Sequence, residues 1–169
     1  VNIFDVEPVN GLAAPDGRIF LTTGFLKKYR QGLVTDEEMA SVIAHELGHV
    51  SMGHARRRMI DVTGQNAVFF LLTAFLARFV PIIGVWIANM VSTAVMARLS
   101  RRDEFEADAY ASALLIKSGI GTAPQKSLFR KLGALTQSRT EGIPAWLLSH
   151  PAAEERISAI EANEARWLG

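Results

Sequence analysis

The sequence predicts a mainly helical α+β domain with a small β-hairpin, and three observations support this fold class. Two short strand-like segments flank a Pro-Asp-Gly turn before residue 24, and apolar residues recur at helical spacing in much of the remaining chain. The composition is that of a globular protein, because 169 residues with 49% apolar and 21% charged side chains can bury one core. We therefore predict a single domain over residues 1–169.

The charged and sulfur-containing residues restrict the possible functions. The 18 Lys and Arg are balanced by 17 Asp and Glu, so the chain has no general positive charge for a nucleic-acid backbone. We predict no nucleic-acid partner. The chain has no cysteine, which excludes a disulfide framework, a thiolate nucleophile and a metal site with Cys ligands. Any metal must be bound by histidines and carboxylates.

The β-hairpin is predicted over residues 9–23. Its two strands, Val9–Ala14 and Arg18–Thr23, are joined by a turn at Pro15–Gly17. Proline presets φ for such a turn and glycine adopts positive φ without strain. The strand at 18–23 is either an ordinary hairpin strand packed on the helices or a strand to which an extended substrate adds through backbone hydrogen bonds.

Four helices are predicted outside an apolar insertion. The first begins at about Asp36, because Thr35 and Glu38 have capping-box spacing, and its apolar positions continue into the mid-fifties. The next two are predicted from about residue 100 to 118 and from about 121 to 138. Pro151, at a first helical position, begins the last helix.

The segment His45-Glu46-Leu47-Gly48-His49 is an HExxH motif on the first of these helices. Histidines four positions apart lie on one helix face, so both imidazoles can reach one ion, with Glu46 beside them. Zinc bound in this way lowers the pKa of water to about 7, and the glutamate accepts the proton and passes it to the leaving amine. The motif therefore predicts one zinc ion per chain and peptide hydrolysis.

A hydrolytic zinc site needs a third protein ligand. The metzincin pattern requires Gly seven and His ten positions after the first histidine, but Met52 and Ala55 stand there. His54 is one position short of a ligand, and we predict for it a surface position or a contact supporting the site.

A later glutamate is the other candidate for the third ligand. Glu104 and Asp108 lie four positions apart on one face of a predicted helix, so Glu104 could bind zinc while Asp108 accepts a hydrogen bond from a ligating histidine. Glu106 points away from this face and is predicted to be solvated. A Glu-x-x-x-Asp pair is common on exposed helices, so the pair of Glu104 and Asp108 indicates a metal site only together with the HExxH motif.

These motifs resemble those of the HtpX-like and CAAX prenyl endopeptidase-like zinc metallopeptidases, which are gluzincins with HExxH followed by Glu-x-x-x-Asp. Residues 10–24 resemble the family's Asn-Ala-x-Ala-x-Pro-Gly-Gly turn and strand, with Gly11 and Asp16 as departures, and residues 149–157 resemble its late His-Pro-x-x-x-x-Arg-Ile element. The resemblance covers nearly the whole chain. It implies a zincin-like fold with His45, His49 and Glu104 as ligands, Glu46 as general base and Asp108 supporting a ligand.

Two residues near the C-terminus are further candidates for the site. His150 either stabilises the oxyanion or lines the cleft, or it caps the following helix. Arg156 either pairs with an active-site carboxylate or is a solvated helix charge.

An apolar insertion over about residues 64–98 separates His49 from Glu104. Of the 32 residues from Asn66 to Ala97, 24 are apolar and Arg78 is the only charged one. Because the proposed ligands lie on both sides of the insertion, it crosses a bilayer twice or not at all. Arginines at both ends favour a membrane hairpin with cytoplasmic ends, as does the resemblance to HtpX-like proteins, which carry membrane segments. The alternative is a helical hairpin buried in protein.

The sequence thus predicts a membrane-associated zinc metalloendopeptidase that cleaves unfolded or damaged membrane proteins, a role in protein quality control. The expected location is a bacterial-type inner membrane with a cytoplasmic active site. Two alternatives remain open: a zinc-stabilised binding or chaperone-like module without turnover, and a soluble periplasmic peptidase of the same family.

Overall fold

A three-stranded β-sheet is formed by the N-terminal residues. Its strands are β1 (Asn2–Phe4), β2 (Gly11–Ala13) and β3 (Ile19–Thr22), in the order β1-β3-β2. β2 is antiparallel to β3, whereas β1 is parallel to it. The predicted hairpin is confirmed, and its turn contains Gly17 with φ of 85°. β1 is a further strand that the sequence analysis did not predict.

Of the two alternatives for residues 18–23, the central position of β3 supports an ordinary hairpin strand and is incompatible with a strand to which a substrate adds. β1 and β2 occupy both backbone edges of β3, so its hydrogen-bonding groups are already used. Within the described part of the chain, β2 is the hairpin strand at the edge of the sheet. The free backbone groups of an edge strand are those that an added strand would need.

The structure is a computed structural model that describes residues 1–77, 81–137, 150 and 154–168. It confirms the mainly helical α+β class. The helices in the described residues are α1 (Thr23–Arg30), α2 (Asp36–Ser51), α3 (His54–Ala77), α4 (Pro81–Lys117), α5 (Ala123–Gln137) and α6 (Glu154–Leu168). α1 was not predicted; the side chain of Thr22 caps its N-terminus by accepting a hydrogen bond from the backbone N–H of Phe25 at 3.2 Å.

Helix α2 begins at the predicted capping box. The Thr35 hydroxyl accepts from the N–H of Glu38, and the Glu38 carboxylate accepts from the N–H of Thr35. The buried Glu38 carboxylate also accepts hydrogen bonds from Ser127 and Lys131 of α5, both at 2.8 Å. Burial by itself raises the pKa of Glu38, but these hydrogen bonds outweigh it and lower the pKa. The start of α2 is therefore tied to α5.

The core beneath the site lies between the sheet, α1, α2, α5 and α6. Its buried members include Leu21, Phe25, Val42, Leu128, Phe129, Leu132, Ile157 and Ile160. Because α2 carries the HExxH motif, packing of its apolar face against this core determines which way the motif points.

Helix α2 is shorter than predicted, because it ends at Ser51 rather than in the mid-fifties. Gly53 has a φ of 65°, a backbone conformation that stops a helix, and α3 begins at His54. His54 is buried next to Asp103, with 3.9 Å between Nε2 and Oδ1. The predicted surface position of His54 is therefore wrong.

The chain divides into two compact units. One contains residues 1–52 with 104–169, and the other contains residues 53–103. In the second unit, the side-chain amide of Gln65 in α3 donates to the carbonyl oxygen of Ser92 in α4 at 2.8 Å. Neither α3, α4 nor any other helix in the described residues is both long and apolar enough to cross a membrane. Pro81 and Gly84 could mark a turn within the insertion by their residue types, but both lie in α4, which begins at Pro81. Residues 78–80 lie outside the described residues.

Candidate metal centre

The HExxH side chains lie on the buried face of α2. His45, Glu46 and His49 are all buried. The Nε2 atoms of the two histidines are 3.1 Å apart. Their position one helical turn apart explains this convergence.

Helix α4 brings a carboxylate to the same point. An oxygen of Glu104 lies 3.3 Å from Nε2 of His45, and its other oxygen lies 3.4 Å from Nε2 of His49. The structure thus brings together the three side chains that the resemblance implies as ligands.

This convergence depends on Gly48, which the sequence analysis did not single out. A Cβ atom at position 48 would lie 2.8 Å from both Cα and the carbonyl oxygen of Ala107, closer than real side chains approach a backbone. α2 and α4 can therefore approach this closely only because position 48 has no side chain. The available signal was a glycine inside a strongly predicted helix, since glycine costs about 0.5–1 kcal/mol there relative to alanine.

The substitution Gly48→Ala should therefore destabilise the protein and weaken its metal binding. The added methyl group has to push α2 away from Ala107, and such overpacking costs about 1–3 kcal/mol. Urea unfolding and a zinc titration would measure both effects.

Gly64→Ala is the matched control for this substitution. Gly64 also lies inside a helix, but a Cβ there meets nothing within 4 Å. Its replacement by alanine should stabilise the protein by about 0.5–1 kcal/mol. An equal loss of stability in the two variants would show that close packing at Gly48 is not the reason for its effect.

His150 is a fourth group at the same place. Its Nδ1 lies 2.9 Å from a Glu104 oxygen and 3.3 Å from Nε2 of His45, and its Nε2 lies 3.5 Å from Oε1 of Glu46. One ligand atom from each of His45, His49, Glu104 and His150 lies within 4.8 Å of the others. Three imidazoles and a carboxylate are donors that zinc prefers, so the chemistry of these residues fits the ion. The helix-cap alternative for His150 concerns residues 151–153, which lie outside the described residues.

Asp108 and Arg156 lie directly behind these four groups. Asp108 Oδ1 is 2.9 Å from Nδ1 of His45, on the side of the ring away from Glu104. The guanidinium of Arg156 donates to both oxygens of Asp108, at 2.6 and 2.8 Å, and lies 3.3 Å from Glu104. Arg156 is 2% exposed and its guanidinium lies 4.5 Å from the ring centre of Phe129. It does not lie in solvent.

This fold and this group of side chains are those of a known protein family. The family model described as Peptidase family M48 matches residues 5–164. The chain belongs to peptidase family M48. This finding confirms the resemblance inferred from the motifs, because relatives of the M48 chain include proteins named HtpX homologue.

Several curated proteins are similar to this M48 chain. "Metalloprotease LoiP" of Escherichia coli K12 is 30% identical over 158 residues, which cover 94% of this chain and 60% of that protein. "Mitochondrial metalloendopeptidase OMA1" of Arabidopsis thaliana is 31% identical over 163 residues, covering 93% and 30%. "Protease HtpX homolog" of Variovorax paradoxus is 26% identical over 199 residues, covering 95% and 64%. The chain thus spans about three fifths of the length of the Escherichia coli relative.

The buried charges shift the protonation of the M48 site. Burial alone would lower the pKa of His45, but hydrogen bonds to Asp108 and Glu104 outweigh it and raise this pKa to about 9. Burial also acts to raise the pKa of the Glu104 and Asp108 carboxyl groups, yet the pKa of each is lowered. Hydrogen bonds from His150 and His45 cause this at Glu104, and those from Arg156 and His45 cause it at Asp108. The site therefore holds the ionised carboxylates of Glu104 and Asp108 against the imidazolium of His45 and the guanidinium of Arg156.

Zinc binding to the metal-free protein should therefore weaken as the pH falls below about 9, where His45 becomes protonated. A zinc ion has to displace that proton, so its affinity should fall by about tenfold per pH unit from pH 9 toward neutrality. Calorimetric titration in two buffers of different ionisation enthalpy counts the released protons. A proton count of zero near pH 8 would contradict the raised pKa.

Two other candidate residues lie apart from the four groups. Glu106 is half-buried on α4 rather than fully solvated, and it is not one of the four. His54 belongs to the unit formed by residues 53–103, whereas the four groups all belong to the other unit.

Proposed function

We propose that this M48 chain is a zinc-dependent metalloendopeptidase. The observation that carries the proposal is the position of Glu46, buried beside two histidines and a carboxylate that can bind one zinc ion. Its Oε1 atom lies 3.5 Å from His150, within the same small space. A general base has to lie close to the reacting group, and Glu46 lies beside the side chains that can hold the metal.

In this mechanism His45, His49 and Glu104 hold the metal, and Glu46 moves the proton. A zinc ion bound there supplies Lewis acidity, which acidifies water and polarises a peptide carbonyl. Glu46 accepts the proton of the attacking water on a carboxylate oxygen and then donates it to the amine that leaves. His150 contributes a hydrogen-bond donor or positive charge near the carbonyl oxygen.

Asp108 and Arg156 act as positioning residues. Asp108 accepts the Nδ1–H of His45, which fixes the tautomer that presents Nε2 to the metal. Arg156 donates to both Asp108 oxygens, which keeps this buried carboxylate ionised and correctly turned, and it lies 3.3 Å from Glu104. Its stacking on Phe129 limits movement of the guanidinium.

The proposed substrate is an extended polypeptide that adds to the outer edge of β2. This strand runs beside α2, since a Cβ at Gly11 would lie 2.9 Å from Val42 and 3.8 Å from the Glu46 side chain. Backbone pairing along such an edge recognises an extended chain with little regard for its side chains. This supports unfolded polypeptides as the substrate class.

The biological substrates that we propose are unfolded or damaged membrane proteins, as part of protein quality control. The support is the apolar segment from Asn66 to Ala97, which is a reason to place the protein at a membrane. We propose an inner membrane with a cytoplasmic active site, with a periplasmic location as the alternative.

A second candidate function is a zinc-stabilised module without turnover, and the position of His150 favours it. Structural zinc sites have four protein ligands, whereas hydrolytic sites leave one position for water. His150 lies close enough to the other three groups to be that fourth ligand. In a module without turnover His150 stays as the fourth zinc ligand, whereas in a peptidase it leaves that coordination position open for water.

Detection of casein fragments by mass spectrometry tests the proposed peptidase. The zinc-loaded protein in mild detergent should release fragments, and the same protein after removal of zinc by a chelator should not. Readdition of zinc should restore cleavage. If the zinc-loaded protein yields no fragments although the metal is bound, the module without turnover becomes the better explanation.

A further inference from the structure

The side chain of Gln125 is buried behind the metal centre and lies outside the motifs of the sequence. It belongs to the first turn of α5 and is 2% exposed. Burying an amide costs free energy unless its polar atoms are hydrogen-bonded, and an apolar side chain would fill the same space without that cost. The contacts of Gln125 therefore indicate what a polar side chain does at this position.

Gln125 makes hydrogen bonds to Asp108 and to the serine one turn further along α4. Its Nε2 atom lies 3.4 Å from Oδ1 of Asp108 and 3.4 Å from the backbone carbonyl oxygen of the same residue. Its Oε1 atom lies 2.9 Å from the hydroxyl of Ser112, which is fully buried. That hydroxyl also lies 2.8 Å from the carbonyl oxygen of Asp108. Gln125 thus contacts both the side chain and the backbone of Asp108.

The charge of Asp108 decides which way the amide of Gln125 faces. Burial acts to raise the pKa of Asp108, but hydrogen bonds from Arg156 and His45 lower it, so the carboxyl group is ionised. A carboxylate and a backbone carbonyl can only accept hydrogen bonds, so both face the two N–H donors of the amide. Oε1 then faces the hydroxyl of Ser112, which can donate. The amide therefore bridges the carboxylate and the backbone of Asp108.

This bridge limits the rotation of the Asp108 side chain. Oδ1, the oxygen that faces Gln125, is the same atom that lies 2.9 Å from Nδ1 of His45. The partner of the second ring nitrogen sets the orientation of a ligating histidine. Gln125 is therefore only two hydrogen bonds away from an imidazole that faces the metal.

We infer that Gln125 is a positioning residue for the metal centre, which fixes the ring of His45 through Asp108 and is itself held by Ser112. Arg156 donates to Asp108 at 2.6 and 2.8 Å, whereas the hydrogen bonds from Gln125 are longer, so Gln125 makes the smaller contribution. This inference rests on the proposed zinc-dependent function, because His45 is one of the residues proposed to hold zinc.

The zinc affinity of the Gln125→Met variant tests this inference. Methionine has about the length of glutamine and adapts to irregular packing, but it has no amide. Residues that directly support a metal ligand contribute about 10–100-fold to metal affinity, and Gln125 acts through one further residue, so the expected loss is about tenfold. Competition with a chromophoric chelator measures the affinity. Urea unfolding of the metal-free protein measures the stability of the same variant.

Ser127→Ala provides a control on the same helix. Ser127 donates to the buried carboxylate of Glu38 at 2.8 Å, so its replacement also removes a hydrogen bond between α5 and a buried carboxylate. It should lower the free energy of unfolding without changing the zinc affinity, because Glu38 is not one of the four side chains that can hold the metal. Equal losses of zinc affinity in the two variants would mean that Gln125 acts through the packing of α5, which would overturn the inference.

A double-variant cycle with Asp108→Asn separates positioning from a general structural role. If Gln125 acts through Asp108, Gln125→Met should change zinc affinity much less in the Asp108→Asn chain than in the unaltered chain. Additive losses of affinity would contradict this. Ser112→Ala provides a second cycle if Asp108→Asn does not fold. It should weaken zinc binding in the unaltered chain but not in the Gln125→Met chain, where there is no amide to hold.

Zinc affinity and casein cleavage distinguish the two proposals. Unchanged zinc affinity of Gln125→Met would overturn the positioning role whether or not the unaltered chain cleaves casein. Absence of casein fragments from the zinc-loaded chain would refute the peptidase, and the zinc affinities would still decide the role of Gln125.

Discussion

The substitution Glu46→Gln should abolish detectable cleavage while leaving zinc bound. Glutamine has nearly the same shape as glutamate but cannot accept the proton of the attacking water, and loss of a general base costs on the order of 10²–10⁴-fold in rate. Zinc should remain because Glu46 is not one of the four side chains that can hold it. Casein cleavage and the zinc content per chain would be measured on the same preparation.

Glu37→Gln is the matched control for this variant. Glu37 lies on the same helix but is exposed in its first turn, so its replacement should leave both cleavage and zinc content unchanged. Cleavage by Glu46→Gln at the rate of the unaltered chain would refute Glu46 as the base. Loss of zinc from Glu46→Gln would show that the residue supports the metal rather than the proton transfer.

Glu104→Gln should weaken zinc retention far more than Glu106→Gln does. Glu104 lies within 3.4 Å of both motif histidines, so its replacement removes a negatively charged ligand from a buried position. The expected loss of affinity exceeds the roughly 10–100-fold that follows when a residue supporting a ligand is lost. Competition with a chromophoric chelator would measure the affinity of each variant.

Glu106 provides a strict comparison because it lies two residues further along the same helix and carries the same charge. Its replacement should change zinc affinity only slightly. Equal losses of zinc in the two variants would mean that the general negative charge of this helix, and not ligation by Glu104, retains the metal.

The local parts of the fold could be predicted because neighbouring residues encode them. The turn at Pro15–Gly17, the capping box of Thr35 and Glu38, and the spacing of the HExxH motif each act within one turn of the chain. The error at the end of α2 has the same origin, because apolar spacing alone does not show that Gly53 adopts a positive φ.

The strand pairing and one helix could not be predicted from local signals. β1 is only three residues long and pairs with β3 from 18 positions away, so nothing in its own sequence marks it as a strand. α1 has eight residues and needs the cap from Thr22 and the burial of Phe25 to be stable. Short helices are marginal in water without such tertiary contacts.

The sequence by itself determined which chemical groups this protein has: an HExxH helix, a later Glu-x-x-x-Asp pair, a late histidine and arginine, and no cysteine. Only the tertiary structure decided how these groups meet. Gly48 lets α2 approach Ala107, and His150 lies with the two motif histidines and Glu104. Arg156 is buried against Asp108. The physical reason is distance along the chain. His45 and His150 are 105 residues apart, and whether they meet depends on the packing of every helix between them.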